Sequence, residues 1–445
     1  MPLVPHRLRH LASFALAGLL LVSCGRALPT ASTPAAGGRQ AAAASRGGED
    51  LLDAVVIVAP GASAADVAAT FGATLLEDEA GVARMLPQSG ESAIELCTRM
   101  AGSADPRLVT MEQNAALEPA EMRAQEPFAT DDGNGSPHTY EHQPAAEALG
   151  LADAHLASRG AGVKAAILDT GIDPAHPAFA GRVAAAWDFV SGDADPSENG
   201  DGIDNDGDGH VDEAVGHGTH VAGIVALTAP ASPLLVARVL DSDGRGNVAG
   251  VARAVRWAID HGARVINLSL GMLKNSDALQ HVMSEAEAQG ILVVASAGNL
   301  GTDNPREFPG TSSHASAVAA TDAGATPASF TSYGPQVALC APGVNIRSAF
   351  PGGGYRVWNG TSMSAPFVAG TAALLYALHP QWTTIEVLDR LAATARPLVH
   401  VNSSMQGRLG AGMLDAGAAL APDRRDGGDP TVSPGGAPGE ITPSR

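Results

Sequence analysis

Residues 360–378 read GTSMSAPFVAGTAALLYAL. A small, hydroxyl-rich start (Gly360, Thr361, Ser362, Ser364) passes through Ala365 and Pro366 into an apolar run that ends near Leu378. This is the pattern of a buried helix with Ser362 at its N-terminus. A serine there has two ordinary jobs. It caps the helix, or it uses the free N–H groups and the dipole to support a developing anion. Ser364 competes for the capping role.

Upstream, Gly216-His217-Gly218-Thr219-His220-Val221-Ala222-Gly223 sets an imidazole among small residues at the start of a helix expected over 219–227. Glycine on both sides allows close backbone approach to the ring. His220 reads as structural. Further upstream, Asp169-Thr170-Gly171 follows an apolar strand, 164–168, which puts a carboxylate at the carboxyl end of a buried strand. On its own Asp169 is equally a cap or turn residue. An aspartic protease would need a second such carboxylate, and the chain has no second Asp-Thr-Gly. The order Asp, His, Ser and the absence of Gly two residues after Ser362 exclude the α/β-hydrolase elbow.

Apolar runs at 163–168, 234–240, 265–270, 291–295, 317–320 and 337–341 alternate with helical segments, which predicts a parallel α/β sheet. The order of the three boxes and their flanks resemble the subtilisin family of serine proteases over about 140–420. The resemblance implies a doubly wound parallel sheet and an Asp169–His217–Ser362 triad. In it, Ser362 attacks the scissile carbonyl, His217 takes its proton, and Asp169 orients the ring. Ser296-Ala297-Gly298-Asn299 resembles the oxyanion segment, with the Asn299 amide acting beside the Ser362 N–H. Ser269-Leu270-Gly271 and Gly244-Arg245-Gly246 resemble the two backbone segments between which the family threads an extended peptide or protein substrate. Phe367 stands where many members have His, a change expected to affect packing and not chemistry. Glu307 falls where the family builds part of the first specificity pocket. There it would favour a basic residue before the cut, or simply face water.

Between Asp169 and His217 the chain carries Asp204, Asp206, Asp208, His210 and Asp212, with Gly209 at the turn position of a calcium loop and Val215 where a bidentate Glu would close it. Carboxylates on alternate residues suit Ca²⁺, a structural cofactor here. The alternative is a solvated acidic loop.

Before the resemblance begins, residues 51–119 alternate as strand, helix, strand, strand, helix, strand. That is a small α+β, ferredoxin-like βαββαβ domain. It resembles the subtilisin propeptide, an intramolecular inhibitor, although a free-standing module of this fold has the same pattern. Residues 120–142 read as an exposed, cleavable linker, 143–420 as the peptidase domain and 421–445 as a structureless tail. At the other end, Arg7 and Arg9 precede an apolar run over 11–22, an export signal closing on Leu21-Val22-Ser23-Cys24. Those four residues resemble a bacterial lipobox, with Cys24 the acylated residue of a membrane anchor and 25–50 a tether. An ordinary cleaved signal with a chance cysteine reads the same way.

The formal charge of −20 argues against nucleic acid as a partner. Cys97 and Cys340 fall in different domains and do not suggest a disulfide framework. The expected protein is an exported, monomeric serine endopeptidase made as a zymogen. A catalytically inactive binding protein on the same scaffold and a serine esterase are the alternatives.

Overall fold

The computed structural model describes residues 50–88, 90–124, 129–303 and 307–422. The export signal, the lipobox with Cys24, the tether up to residue 49 and the tail from 423 lie outside the described residues.

The N-terminal region has strands β1 (Asp50–Val58), β2 (Thr74–Glu79), β3 (Val82–Leu86) and β4 (Leu108–Leu117), in the antiparallel order β2-β3-β1-β4. Helices Ala64–Thr70 and Ala93–Gly102 complete the expected βαββαβ arrangement. Both helices start on capping serines. Ser63 accepts from Asp66 N, and Ser92 with Glu95 forms a reciprocal capping box. Val56, Val67, Met85, Leu96 and Met100 make a separate small core.

The larger sheet holds seven strands. They are β5 (Lys164–Asp169), β6 (Val183–Asp188), β7 (Leu234–Arg238), then, after the two-residue strand β8 (Gly246–Asn247), β9 (Ala263–Leu268), β10 (Leu292–Ser296), β11 (Ser316–Thr321) and β12 (Val337–Pro342). All pairs are parallel, in the order β12-β11-β10-β9-β5-β7-β6. A parallel sheet must be covered on both faces, and alternate residues serve opposite cores. Ile167, Val236 and Val294 join helices His217–Thr228 and Thr361–Leu378 on one side. Leu168, Leu235 and Val293 join helices Val248–Asp260 and Asp277–Ala288 on the other. Thr361–Leu378 is apolar enough to cross a membrane, but 89% of it is buried within the protein, Phe367 included. Its apolarity is that of a core helix. The strand order turns back at β5, and Asp169 closes that strand where α/β sheets open a crevice.

The two regions meet through polar groups that finish helices. Glu112 accepts from Ser276 Oγ at 2.5 Å and from the Asp277 and Ala278 N–H groups at 3.1 Å, at the start of Asp277–Ala288. Asn114, fully buried, accepts from Ala249 N at 3.3 Å at the start of Val248–Asp260. Strand β4 then pairs with β8. The segment 120–142 departs from the exposed linker expected of it. Ala120 and Glu121 are 1% exposed and lie in a helix, Ala120–Ala124, and Tyr140 is buried in a second, Pro137–Glu141. Residues 130–135 are exposed, but the ends of the segment are covered by tertiary contacts that composition does not record.

Candidate active site

Helix His217–Thr228 begins on Gly216, so His217 is its first residue, two earlier than expected. His217 is fully buried, and its Nδ1 lies 2.6 Å from Asp169 Oδ1. The same carboxylate oxygen accepts from Thr170 N at 2.8 Å. A Cβ at position 218 would fall 2.3 Å from Gly171 O, so Gly218 is what lets the histidine turn pack directly on the aspartate turn. Trp358 stacks edge-on against His217, with ring centroids 5.3 Å apart. His220 spends its Nε2 on the Ile346 and Arg356 carbonyls of the hairpin Ile346–Phe350 and Gly354–Trp358. Burial pushes its pKa down to about 3, the structural role expected of it.

Ser362 is the second residue of its helix. Gly360 is the cap, so neither Ser362 nor Ser364 performs that job. Pro366 has no N–H to return to the Ser362 carbonyl one turn back. Ser269 Oγ donates to that carbonyl instead, at 2.9 Å. The proline thus frees an acceptor that ties the serine turn to the strand-end segment 269–271. Asn299 is oriented from its oxygen side, where Oδ1 accepts from Thr361 N and Oγ1 at 2.9 and 2.8 Å. This aims Nδ2 toward Ser362. Nδ2 and the Ser362 N–H converge on one oxygen, Glu121 Oε1, at 2.9 and 3.3 Å.

Two buried carboxylates at this site escaped sequence reasoning. Glu198, 5% exposed, accepts from Gly218 N (3.1 Å), Thr219 N (3.0 Å) and Thr219 Oγ1 (2.5 Å), and also from Thr170 Oγ1. It joins the turn after Asp169 to the first turn of the histidine helix, with burial pushing its pKa up. No motif marks it, because it lies in an irregular loop well before His217. Glu121 is the other. Its Oε2 accepts from Ser362 Oγ at 2.7 Å and lies 3.4 Å from His217 Nε2. Burial would lower the His217 pKa, but Asp169 and then Glu121 outweigh it and push it up to about 10. Burial would likewise raise Glu121, but His217, Ser362 and Asn299 hold it below the usual carboxylate range.

Of the expected substrate segments, Gly246 pairs with Leu117 and Asn247 with Ala116, while Gly271 exchanges both backbone hydrogen bonds with Glu118 at 2.9 and 3.1 Å. Gly244 abuts Pro119. Leu270 is buried, and Ser269 works through its hydroxyl. Arg245 turns away, with its guanidinium 3.4 Å from Asn205 O. Glu307 is 3% exposed and lies against Gly298, which excludes the water-facing alternative.

In the acidic loop, Asp204, Asp206 and Asp208 bring oxygens within 4.8 Å of one another. Gly209 takes a φ of +97° at the expected turn. Asp212 does not join them, since its carboxylate accepts from Asp201 N at 2.9 Å and Gly202 N at 3.0 Å, and His210 is not among the converging side chains either. Burial and the adjacent aspartates push Asp206 up. A hard cation would relieve that repulsion, so the three aspartates fit Ca²⁺.

A model of the subtilase family matches residues 160–427. The chain is a subtilase. It is 38% identical to subtilisin of Bacillus pumilus over 276 residues, covering 58% of this chain and 91% of that one. Against subtilisin BL of Lederbergia lenta it is 39% identical over 269 residues, with the same coverage. The crystal structure of a cold adapted subtilisin-like serine proteinase superimposes with a TM-score of 0.50 at 31% identity, over 58% of the subtilase and 90% of that chain. Fervidolysin from Fervidobacterium pennivorans, a keratinolytic enzyme related to subtilisin, shares the fold at a TM-score of 0.66 and 23% identity, over 83% of the subtilase and 60% of that chain. The subtilase is accordingly a serine endopeptidase of the subtilisin type.

Proposed function

We propose that the subtilase is an exported, self-processed endopeptidase whose triad is Asp169, His217 and Ser362. The observation that carries this reading is the convergence of Asn299 Nδ2 and the Ser362 N–H on a single oxygen beside Ser362 Oγ. Two donors aimed at one point suit the oxyanion of a tetrahedral intermediate. Ser362 Oγ adds to the scissile carbonyl while His217 Nε2 takes its proton. Asp169 holds Nδ1 and stabilises the imidazolium. His217 then protonates the leaving amine, and water repeats the sequence on the acyl-enzyme. A peptide binds as an extended strand between 244–246 and 269–271.

In this reading 51–119 is a propeptide and inhibitor, the segment 120–142 contains the cut, and 143–420 is the peptidase domain. Cys24 carries a lipid anchor, and the cut either releases the peptidase from it or leaves it held through the bound propeptide. Ca²⁺ bound by Asp204, Asp206 and Asp208 supplies stability and takes no part in the chemistry. The test is labelling with a fluorophosphonate together with turnover of an extended peptide and of a simple ester. Labelling at Ser362 with peptide cleavage is expected. Absence of labelling would support an inactive binding protein, and ester turnover without peptide cleavage an esterase.

Two further outcomes are expected. At calcium one hundred times its Kd, binding stabilises the folded state by about 2.7 kcal/mol, so EDTA should lower Tm by about 5–10 °C. The Asp206→Asn variant should lose most of this response, and a Tm indifferent to both calcium and EDTA would refute the site. Glu307→Gln should reduce the kcat/KM advantage of Lys or Arg over Leu before the cut by about ten- to a hundredfold, the value of a hydrogen bond to a charged group. An unchanged ratio would remove Glu307 from the specificity pocket.

A further inference from the structure

The route of the chain after β4 carries one step more. Glu118 pairs antiparallel with Gly271. In such a pair, two residues forward on one strand face two residues back on the other, so a strand continued through Pro119 would set Ala120 opposite Ser269. The Ser269 carbonyl is 3.2 Å from Ser362 Oγ. A continued strand would therefore offer Ser362 the Ala120 carbonyl, with Glu121 as the leaving side.

The chain does not continue as a strand. It turns into helix Ala120–Ala124, with Met122 N bonded to Pro119 O at 3.2 Å. The place of the carbonyl is taken by the Glu121 side chain. One of its oxygens receives both oxyanion donors, and the other receives the Ser362 hydroxyl and faces His217. Ser362 thus gives its proton to a carboxylate and not to the base. The cradle is shaped for this group, since a Cβ at position 360 would fall 1.8 Å from Glu121 Oε1.

We propose that Ala120–Glu121 is the bond the subtilase cuts in itself, and that the Glu121 carboxylate latches the precursor closed until one turn of helix unwinds. The inference rests on the triad and propeptide reading above. On opening, Ser362 Oγ bonds to the Ala120 carbonyl carbon and its proton passes to His217. The Ala120–Glu121 C–N bond breaks, and His217 returns the proton to the Glu121 nitrogen. Water then cleaves the ester and leaves an Ala120 carboxylate, which fits the same donors as product. The latch also has a pH dependence. Glu121, after Asp169, raises the His217 pKa, and its share of the resulting contribution is complete below 6.5 and lost as pH rises through about 10. The lowered Glu121 pKa gives one present above 4.5 and lost on acidification. His217 is faced by Asp169, Glu121 and His220, with Glu198 behind Asp169.

The test uses the full chain. N-terminal sequencing of the processed enzyme should begin at Glu121, and Glu121→Ala should speed the first-order loss of precursor at neutral pH at least tenfold, the equivalent of one charge-assisted hydrogen bond. Glu121→Gln, which keeps the shape and removes the charge, should lie between the two and serves if the Ala variant does not fold. Fluorophosphonate labelling of the processed enzyme separates the two levels. A labelled, peptide-cleaving enzyme with a different N-terminus, or variants processed no faster than the native chain, would overturn this inference alone. An unlabelled chain that never processes would overturn both.

Discussion

Replacing Ser362 by Ala should lower kcat for an extended peptide by about six orders of magnitude, the scale known for subtilisin itself and not one derived from this geometry. Without the hydroxyl there is no acyl-enzyme. The donors from Asn299 and the 362 N–H stay in place, because Asn299 is held by Thr361, a neighbour that the substitution does not touch. Some rate above that in water should therefore persist. The side chain is fully buried and donates to Glu121 and to the Ser269 carbonyl, so a loss of roughly 1–3 kcal/mol in stability accompanies the change. Full-length chain should accumulate uncut, as seen by intact mass. Activity above a hundredth of the native value would remove Ser362 from the nucleophile's role.

Asp169→Asn should reduce kcat about ten-thousandfold while circular dichroism stays native. Asp169 Oδ1 serves both His217 Nδ1, at 2.6 Å, and Thr170 N, at 2.8 Å. An amide that keeps its oxygen there retains both bonds but supplies no charge to stabilise the imidazolium, and one that turns its NH₂ there sets a donor against the ring. Against that donor the imidazole must answer with a lone pair at Nδ1 and carry its proton at Nε2, where it cannot accept the Ser362 proton. Asp169 is also the foremost favourable cause of the raised His217 pKa, so the imidazole should titrate markedly lower in the variant, measurable by NMR. Retention of more than a tenth of kcat would leave Asp169 with a merely structural part. Glu198 makes the folding prediction sound, because its bonds to Gly218 and Thr219 keep the two turns together without the aspartate.

Much of the site was legible because its chemistry is concentrated in short boxes. His217, Ser362 and Asn299 each sit where a strand or loop enters a new element, among small residues, and this is visible in a string of letters. The sheet was legible for a related reason, since strands covered on both faces are continuous apolar runs, and their observed ends fall within a few residues of those expected. Glu307 shows the limit. A lone Glu reads as solvated, and only the packing of Gly298 beside it reveals a buried carboxylate. Asp212 and His210 show another. Alternation along the chain suggests five ligands, but the turn at Gly209 gathers three and leaves Asp212 to backbone N–H groups.

The sequence by itself determined the family, the doubly wound sheet and the βαββαβ arrangement before it, and it picked out Asp169, His217 and Ser362 as candidates, because local patterning and box order are written along one chain. Only the tertiary structure decided that Glu121 meets the Asn299 and Ser362 donors and that Glu198 joins the Asp169 and His217 turns. Both are single carboxylates in segments with no period, and what gives each its role is a set of N–H and O–H donors brought from distant positions. A buried charge is tolerable only where such donors meet it, and where they meet is a property of the fold.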